Sequence, residues 1–512
     1  MNVSRLDFLK GGVASLGFGA FGAGRVFAAP PGWKPMGTPR LVLGVVSDTH
    51  LRTRKSRKPT ARWWPDTFLR AALGHFRSAN VDAVVHCGDM ANYGEVEAMQ
   101  MHADVWNEVF PGGRAADGHV VEKLFITGNH DVLGSGMNEW VRNLYSDPDV
   151  RRREVLAEDM AGNWERIWGE KYEEVWHKTL KGYNFFGAHW GVDHGRLAKL
   201  VKKVMGSPSA GPVRHPFFML THARPLPPFR KALAAYSRDA VAFFGHNHIS
   251  ATNWNTIYYD EGSFPRIQVP PCIAPDWDIK FKGDAYIAKA PLEGKEQTGR
   301  CRQGFVVRVY DDMMVIERRE FAQGGSLGAD WVMPFNWGTG NGELGMGKHP
   351  FSKHELKKAI GTPQFREGAK LIVKCCQCEN VAKSNVANGQ LGIGTGNGNN
   401  STMATITLSI PLADGNPDSR VYAYEVVVNG QDARSPSALY KAVYAAGCNM
   451  GIGHETNGGV TVLEIPLAEI NSQLTTHNSK LEISVRPLTS LGTAGSAISA
   501  KVRIGEKEGE PT

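Results

Sequence analysis

The chain has 512 residues, a formal net charge of +7 and seven cysteines. The positive excess is modest and spread along the chain, so it does not indicate nucleic-acid binding. After the N-terminal segment, no run reaches the roughly 18 apolar residues of a membrane span, which excludes a transmembrane helix in the mature chain. Because the cysteine count is odd, at least one thiol is unpaired or intermolecular.

The first 29 residues have the features of a signal peptide. A basic segment, Ser4–Lys10, precedes a Gly- and Ala-rich apolar stretch, and Val26-Phe27-Ala28 fits a signal-peptidase site. Ser4–Lys10 is similar to a twin-arginine signal with Leu6 in place of the second arginine, so both the Tat and the Sec routes stay open. The sequence predicts an exported protein, periplasmic or extracellular; an uncleaved membrane anchor is the alternative.

Short apolar runs in the first half of the chain predict buried strands, and helical stretches lie between some of them. The predicted strands are Leu41–Val46, Val81–Val85, Leu124–Ile126, Tyr183–Trp190, Phe217–Leu220 and Val241–Phe244, and the predicted helices include Asp66–Phe76 and Glu95–Val109. Nearly continuous apolar runs are typical of strands buried on both faces. Their alternation with helices predicts an α/β architecture. Gly304–Tyr310 and Met314–Phe321 are expected to complete a second sheet.

A polar motif directly follows five of these strands. In chain order the motifs are Asp48-Thr49-His50, Gly88-Asp89, Gly128-Asn129-His130-Asp131, Thr221-His222 and Gly245-His246-Asn247-His248. Ligands of open α/β sheets bind at the carboxyl ends of strands, so we expect the motifs to converge. Imidazole and carboxylate ligands together suit Zn, Fe, Mn or Co. Two such ions about 3.5–4 Å apart can clamp a phosphoryl group and generate hydroxide at neutral pH.

The order of the five motifs resembles that of the calcineurin-like metallophosphoesterases, over residues 38–325. The resemblance implies a two-sheet α/β/β/α sandwich. It also implies a metal-dependent hydrolase of small phosphate esters, in which a metal-bridging hydroxide attacks phosphorus in line. The implied cofactors are two divalent or trivalent transition metal ions, with Mn, Fe and Zn as the candidates.

The resemblance also assigns roles to individual residues. Seven are expected to bind metal: Asp48, His50 and His248 one ion, Asn129, His222 and His246 the other, with Asp89 bridging both. His130 matches the catalytic histidine of the family, which contacts the phosphate and protonates the leaving group. Asp131 beside it is the second catalytic candidate, and it either orients its neighbours or forms a turn. Candidate substrate contacts are Asn92, Tyr93, His189 and Arg224.

Departures from the family patterns narrow the subfamily. Asn92 stands where purple acid phosphatases carry a tyrosine, and His50 stands where they carry glycine, so that branch is disfavoured. The Gly-Arg loop of the Ser/Thr protein phosphatases is absent after Asp89, which disfavours a protein phosphatase. Gly88–Gly94 is similar to the Gly-Asp-x-x-Asp-x-Gly of phosphodiesterase-like members, with Asn92 for the second Asp. Monoester and diester substrates both stay open.

Five cations directly follow His50 in the sequence: Arg52, Arg54, Lys55, Arg57 and Lys58. A basic loop beside a dimetal site attracts anionic substrates. The alternative is a loop whose charges are simply solvated.

The last third of the chain has a different pattern. Residues 326–362 are rich in Gly and Asn and predict a linker or a wrapping loop. Short β-branched runs over 363–506, separated by turn residues, predict a separate all-β sandwich that is similar to immunoglobulin- or fibronectin-like modules. Every proposed ligand precedes residue 250, so a chain cut near residue 362 is expected to keep both metals and hydrolysis.

These features together predict an exported dimetal phosphodiesterase or phosphomonoesterase. The alternative is a metal-stabilised binding protein with a vestigial site, in which the β-sandwich carries ligand or surface binding. A missing ligand would favour that alternative, and all seven are present.

Overall fold

The structure is a computed structural model of the chain. It describes residues 35, 37–53, 65–132, 145–207, 215–260, 262–272, 302–321, 325–328, 330–335, 351–376, 405–411, 413–414, 421–430, 438–445, 460–473 and 480–503. The predicted signal peptide, residues 1–29, lies outside the described residues, as do Arg54, Lys55, Arg57 and Lys58 of the predicted basic loop.

The described residues form strands and helices that we number in chain order. The strands are β1 Leu41–Val46, β2 Ala83–Cys87, β3 Glu122–Ile126, β4 Val175–Leu180, β5 Tyr183–Ala188, β6 Phe217–Leu220, β7 Ala240–Phe244, β8 Ile257–Tyr258, β9 Arg266–Gln268, β10 Gln303–Val309, β11 Met313–Glu320, β12 Gly325–Ser326, β13 Trp331–Pro334, β14 Gln364–Phe365, β15 Ile372–Cys376, β16 Thr405–Ile410, β17 Ala413–Asp414, β18 Ala423–Gly430, β19 Ala438–Tyr444, β20 Thr461–Pro466, β21 Lys480–Leu488 and β22 Ile498–Arg503. The helices are α1 Pro65–Ser78, α2 Val96–Val109, α3 Asn129–Val132, α4 Pro148–Glu154, α5 Met160–Trp168, α6 His194–Met205, α7 Pro227–Ala232, α8 Lys353–Ile360 and α9 Leu467–Gln473.

The first sheet has seven strands in the order β12-β11-β10-β1-β2-β3, with β13 also paired to β11. Strands β1, β2 and β3 are parallel, and β10 and β11 run antiparallel. The sequence analysis expects Gly304–Tyr310 and Met314–Phe321 to complete a second sheet. This expectation is wrong, because the two runs form β10 and β11 of the first sheet. Strand β10 instead pairs along β1, with Leu41 opposite Val309, and so covers the edge that β1 would otherwise expose.

The second sheet has six strands in the order β4-β5-β6-β7-β9-β8. Strands β5, β6, β7 and β9 are parallel, and antiparallel β4 and β8 form its edges. The inner faces of both sheets contribute to one buried cluster, including Val45 and Leu124 from the first sheet and Phe218 and Phe243 from the second. The two sheets therefore pack face to face.

Helices cover the outer face of each sheet. On the first sheet, α2 buries Met99, Ala103 and Trp106, which recur at the three- to four-residue spacing of one helical face. On the second sheet, Leu197 and Val201 of α6 pack against the outer-face side chains of β5 and β6. The mixed α/β architecture predicted from the sequence is confirmed. No helix among the described residues is long and apolar enough to cross a membrane.

Residues 326–362 contain a strand and a helix where the sequence predicts a linker or wrapping loop. Strand β13 pairs with β11, so this segment extends the first sheet. Helix α8 begins after Ser352, whose Oγ accepts a hydrogen bond from Glu355 N, and it buries Leu356 and Ile360 in the cluster between the two sheets. This segment has few regular apolar runs in its sequence. The sequence pattern therefore does not reveal that β13 and α8 pack against the two sheets.

The C-terminal region forms three further antiparallel sheets among the described residues, the small β14-β17 pair and the larger β15-β16-β20 and β19-β18-β21-β22. Burial alternates along β16 and β18, as expected of strands with one buried face. Residues of the two larger sheets, including Leu408 and Val426, share one apolar cluster. Whether they form a separate immunoglobulin- or fibronectin-like domain stays a prediction.

Candidate metal centre

The five polar motifs meet where the carboxyl ends of parallel strands from both sheets face each other. The motifs follow β1, β2 and β3 in the first sheet and β6 and β7 in the second. Each sheet thus contributes ligands from strands that run in the same direction. The sheet topology explains why residues up to 200 positions apart converge.

The backbone at this edge is strained. Seven non-glycine residues in the described part of the chain have a left-handed φ, and five are ligand candidates: Asp48 at 53°, His50 at 45°, Asp89 at 58°, His246 at 76° and His248 at 47°. This conformation costs L-residues roughly 1–2 kcal/mol each. Such strain persists only where the surroundings enforce it, and it clusters at functional sites.

The first group of ligand atoms contains Asp48, His50, Asp89 and His248. His50 Nε2 lies 3.0 Å from His248 Nε2, and His248 Nε2 lies 3.2 Å from Asp48 Oδ1. His50 Nε2 is 3.5 Å from Asp89 Oδ2. All four side chains are buried.

The second group contains Asp89, His222 and His246, and Asn129 joins it. His222 Nε2 lies 3.1 Å from Asp89 Oδ2, the same oxygen that faces His50. Asn129 Oδ1 lies 2.9 Å from both His222 Nε2 and His246 Nδ1. Asp89 therefore stands between the two groups.

The donor set fits a pair of transition metal ions. Within each group the ligand atoms all lie within 4.8 Å of one another. Imidazole nitrogens with carboxylate and amide oxygens suit such ions. The Nε2 atoms of the buried residues His50 and His248 face each other at 3.0 Å. A cation bound to both nitrogens would explain why these polar atoms are buried together.

Charges within the centre favour ionised carboxylates. Burial opposes ionisation of Asp48, but His248 and His50 hold its pKa well below the usual range. Burial also opposes the charged form of His222 and lowers its pKa. The charges of Asp89 and Asp48 outweigh burial and raise the pKa of His222 to about 9. The ionised carboxylates of Asp48 and Asp89 therefore stabilise positive charge placed beside them.

Two glycines allow the loops to approach this closely. A Cβ at Gly128 would lie 2.2 Å from Asp89 Oδ1, and a Cβ at Gly88 would lie 2.6 Å from His222 Nδ1. Gly88 also has a φ of +95°, which other residues rarely adopt. Any larger residue at either position would displace a ligand candidate.

Two of the four ligand histidines are oriented by hydrogen bonds from their second ring nitrogen. His222 Nδ1 donates to the Cys87 carbonyl at 2.7 Å, and His50 Nδ1 donates to Asn92 Oδ1 at 3.0 Å. Each bond fixes the tautomer that leaves Nε2 available as a ligand. Asn92 is buried, and its Oδ1 is occupied by the hydrogen bond from His50; its role as a substrate contact stays a prediction.

His130 lies half-buried beside the two groups. Its backbone N–H donates to Asp89 Oδ1 at 2.8 Å, and its Nδ1 donates to the Asn92 carbonyl at 2.8 Å. Its ring centroid is 4.4 Å from that of His50. Burial, together with His50, lowers the pKa of His130.

Asp131 is fully buried and bonds to backbone rather than facing the centre. Its Oδ1 accepts from Ala91 N at 2.7 Å and its Oδ2 from Gly128 N at 2.8 Å, which ties the loop after β2 to the loop after β3. Burial, reinforced by the charge of Asp89, raises its pKa to about 7. Asp131 therefore holds its neighbours in position, which is one of the two roles expected of it from the sequence, and a direct catalytic role stays a prediction.

His189 does not join the ligand groups. It is buried, its Nδ1 accepts from Thr127 N at 3.0 Å, and its ring packs 4.3 Å from that of Tyr172. Burial lowers its pKa to about 3, so it is neutral. The next residue, Trp190, contacts the centre instead, with its ring 5.7 Å from His246 and 5.6 Å from His222. Trp190 therefore borders the metal centre, whereas the role of His189 as a substrate contact stays a prediction.

Two exposed arginines each lie two residues beyond a ligand candidate. The guanidinium of Arg52, after His50, lies 5.8 Å from the Tyr93 ring centroid. The guanidinium of Arg224, after His222, lies 4.8 Å from that of Tyr258. Tyr93 and Arg224, predicted as substrate contacts, thus each belong to a cation–π pair. Tyr258 was not singled out by the sequence pattern.

Part of the chain matches a family of known proteins. The family model described as calcineurin-like phosphoesterase matches residues 41–250. Similar solved structures include a dimetal phosphatase from Danio rerio, with 12% identity over 58% of this chain and 99% of that chain and a TM-score of 0.31. Another is a purple acid phosphatase from yellow lupin (Lupinus luteus) seeds, with 13% identity over 57% and 53% and a TM-score of 0.37. No curated protein matches the chain. The family match supports a calcineurin-like metallophosphoesterase domain.

Proposed function

We propose that this protein, whose residues 41–250 match the calcineurin-like phosphoesterases, is an exported dimetal hydrolase of phosphate esters. The observation that carries the proposal is the pair of ligand groups that share Asp89. Export rests on the signal-like sequence of residues 1–29. The substrates are small esters, and the proposal covers both diesters and monoesters.

The residues that would hold the two ions are Asp48, His50 and His248 for one, Asn129, His222 and His246 for the other, and Asp89 for both. When bound, the two ions supply charge that clamps the phosphoryl group and acidifies water at neutral pH. The chain's part is to hold these ligands in place through Asn92, Asp131 and the Cys87 carbonyl.

His130 is the group that would handle the proton of the leaving oxygen. Its Nδ1 is held by the Asn92 carbonyl, and the structure gives its Nε2 no hydrogen-bond partner among the described residues. A bound phosphate anion raises the pKa of a neighbouring imidazole. His130 would thereby gain a proton at Nε2 and donate it to the departing oxygen.

The assay that tests the proposal is hydrolysis of chromogenic phosphate mono- and diesters by the full chain after loading with Mn or Zn. Turnover of either ester that is lost with a chelator supports the proposal. A chain that binds two metals per molecule yet hydrolyses neither ester would instead support a metal-stabilised binding protein.

Neutralising Arg52, Arg54 and Lys55 together is expected to lower kcat/KM and to flatten its dependence on salt. Arg52 lies two residues beyond His50, and the other two follow it in the sequence. Cations near a dimetal site raise the local concentration of anionic substrate, and salt screens that attraction beyond about 10 Å at 0.1 M. The measurement is kcat/KM between low and high ionic strength.

The control variant neutralises three exposed cations on outer helices, Arg152, Lys202 and Lys203, and so removes the same charge. Its salt dependence should match that of the unaltered chain. If both triple variants show the same salt dependence, the loop is only solvated and does not attract substrate.

A further inference from the structure

We propose that the loop of residues 488–495 in the C-terminal sheets holds the segment that follows the ligand candidate His248, and so helps to position the metal centre. This goes beyond the proposed hydrolysis, because it assigns the C-terminal region a role in the metal site.

The segment of residues 249–256, between β7 and β8, is buried although it has little regular structure. Ser250, Thr252, Asn253 and Trp254 are each at most 6% exposed. A buried irregular segment cannot satisfy its backbone groups with water, so it needs partners from the surrounding protein.

The first sheet supplies partners at the start of this segment. Gln303 Oε1, at the beginning of β10, accepts from Ala251 N at 2.8 Å and from Ser250 Oγ at 3.0 Å. Arg318 Nη1 of β11 donates to the Ala251 carbonyl at 2.9 Å. These bonds hold the segment at Ala251.

The 488–495 loop supplies partners for the next part of the segment. Ser490 Oγ accepts from Trp254 N at 3.0 Å, and the Ser490 carbonyl accepts from Asn255 Nδ2. Ser490 is 2% exposed. Leu491 packs into the apolar cluster between the two main sheets. Ser490 lies 236 positions from Trp254 along the chain, so this contact is tertiary.

The loop is closed on itself and presents these residues in one conformation. Thr489 N donates to the Thr493 carbonyl at 2.9 Å, and Gly492 N donates to the Thr489 carbonyl at 3.0 Å. Gly492 has a φ of +75°, which the tight turn requires. A preformed loop loses little conformational freedom when it packs.

The held segment is joined to His248, whose backbone is itself left-handed at a φ of 47°. His248 Nε2 lies against Asp48 and His50 in the first ligand group. If the segment loosens, His248 loses the surroundings that enforce its conformation. The effect should fall mainly on the first group, because in the second group Asn129 and His222 are placed by other strands and only His246 lies on this loop.

A chain cut near residue 362 would lack Ser490 and Leu491. It would leave the Trp254 N–H without this acceptor and expose the apolar surface that Leu491 covers. The prediction from sequence that such a chain keeps both metals therefore gives way to an expectation of weaker binding of the metal held by His248.

The test compares the full-length chain with Ser490→Ala and with a matched control, Ser484→Ala, on partly exposed β21. Hydrogen exchange of the metal-free chains reports on the Trp254 amide, and titration with Zn gives the two metal affinities separately. Ser490→Ala is expected to speed exchange at Trp254 and to weaken binding of the metal held by His248 by about tenfold. This is the low end of the effect measured for residues that support metal ligands without binding the metal. Ser484→Ala should change neither quantity.

Two results would overturn the proposal. Exchange at Trp254 that is the same in both variants would mean that Ser490 does not hold the segment. Faster exchange with two unchanged metal affinities would mean that the loop stabilises the fold without positioning the metal centre. Neither readout requires turnover, so both are independent of whether the protein hydrolyses phosphate esters.

Discussion

The His130→Ala variant is expected to bind both metals and to lose about 10²–10⁴ in kcat, the usual contribution of a positioned acid or base. The metal content should hold because the hydrogen bond from His130 to Asp89 comes from the backbone N–H, which alanine keeps. The loss should fall on kcat because the imidazole acts on the leaving oxygen. Steady-state kinetics and elemental analysis of the same preparation measure both quantities.

His177→Ala is the matched control for this variant. His177 lies on the edge strand β4, and its Nε2 bonds to Asn184 Oδ1 at 2.8 Å, so its loss should leave kcat near that of the unaltered chain. Full activity of a metal-loaded His130→Ala chain would rule out the proton-transfer role. Loss of metal from that variant would show that His130 is a ligand.

The Asp89→Asn variant is expected to weaken both metal sites at once and to lower kcat by about 10³ or more, since bound metals supply several kcal/mol of transition-state stabilisation. Asp89 Oδ2 faces His50 of one group and His222 of the other. Asparagine keeps the shape but removes the negative charge that both ions would share. Metal content per chain after desalting is the measurement.

His246→Ala provides the comparison, because His246 belongs to only one of the two ligand groups. It should cost about one metal per chain, whereas Asp89→Asn should deplete both. If Asp89→Asn lost no more metal than His246→Ala, Asp89 would serve a single ion and the shared-ligand geometry would be wrong.

The strands that carry the centre could be predicted from sequence because their burial is nearly continuous. Strand β1 has the predicted bounds, and β7 differs from its prediction by one residue. The partner of β10 could not be predicted in this way. An apolar run shows that a strand is buried, but pairing with β1 depends on contacts about 260 residues apart along the chain.

The sequence predicts that the ligand candidates converge, because each motif lies at a strand end. It does not predict which neighbouring residues face the metal centre. His189 and Trp190 show the reason. Successive side chains near a strand end point in opposite directions, so a one-residue difference separates the aromatic cluster around His189 from the metal centre beside Trp190. Asn92 likewise bonds to His50 because of local backbone geometry that no spacing pattern encodes.

The central claim is that two transition metal ions bind side by side and share Asp89. Elemental analysis of protein purified without chelator, followed by anomalous scattering from its crystals, tests it most directly. We expect two ions per chain, one beside Asp48, His50 and His248 and the other beside the second ligand group, with Asp89 contacting both. A single ion after full reconstitution, or calcium alone, would contradict the claim.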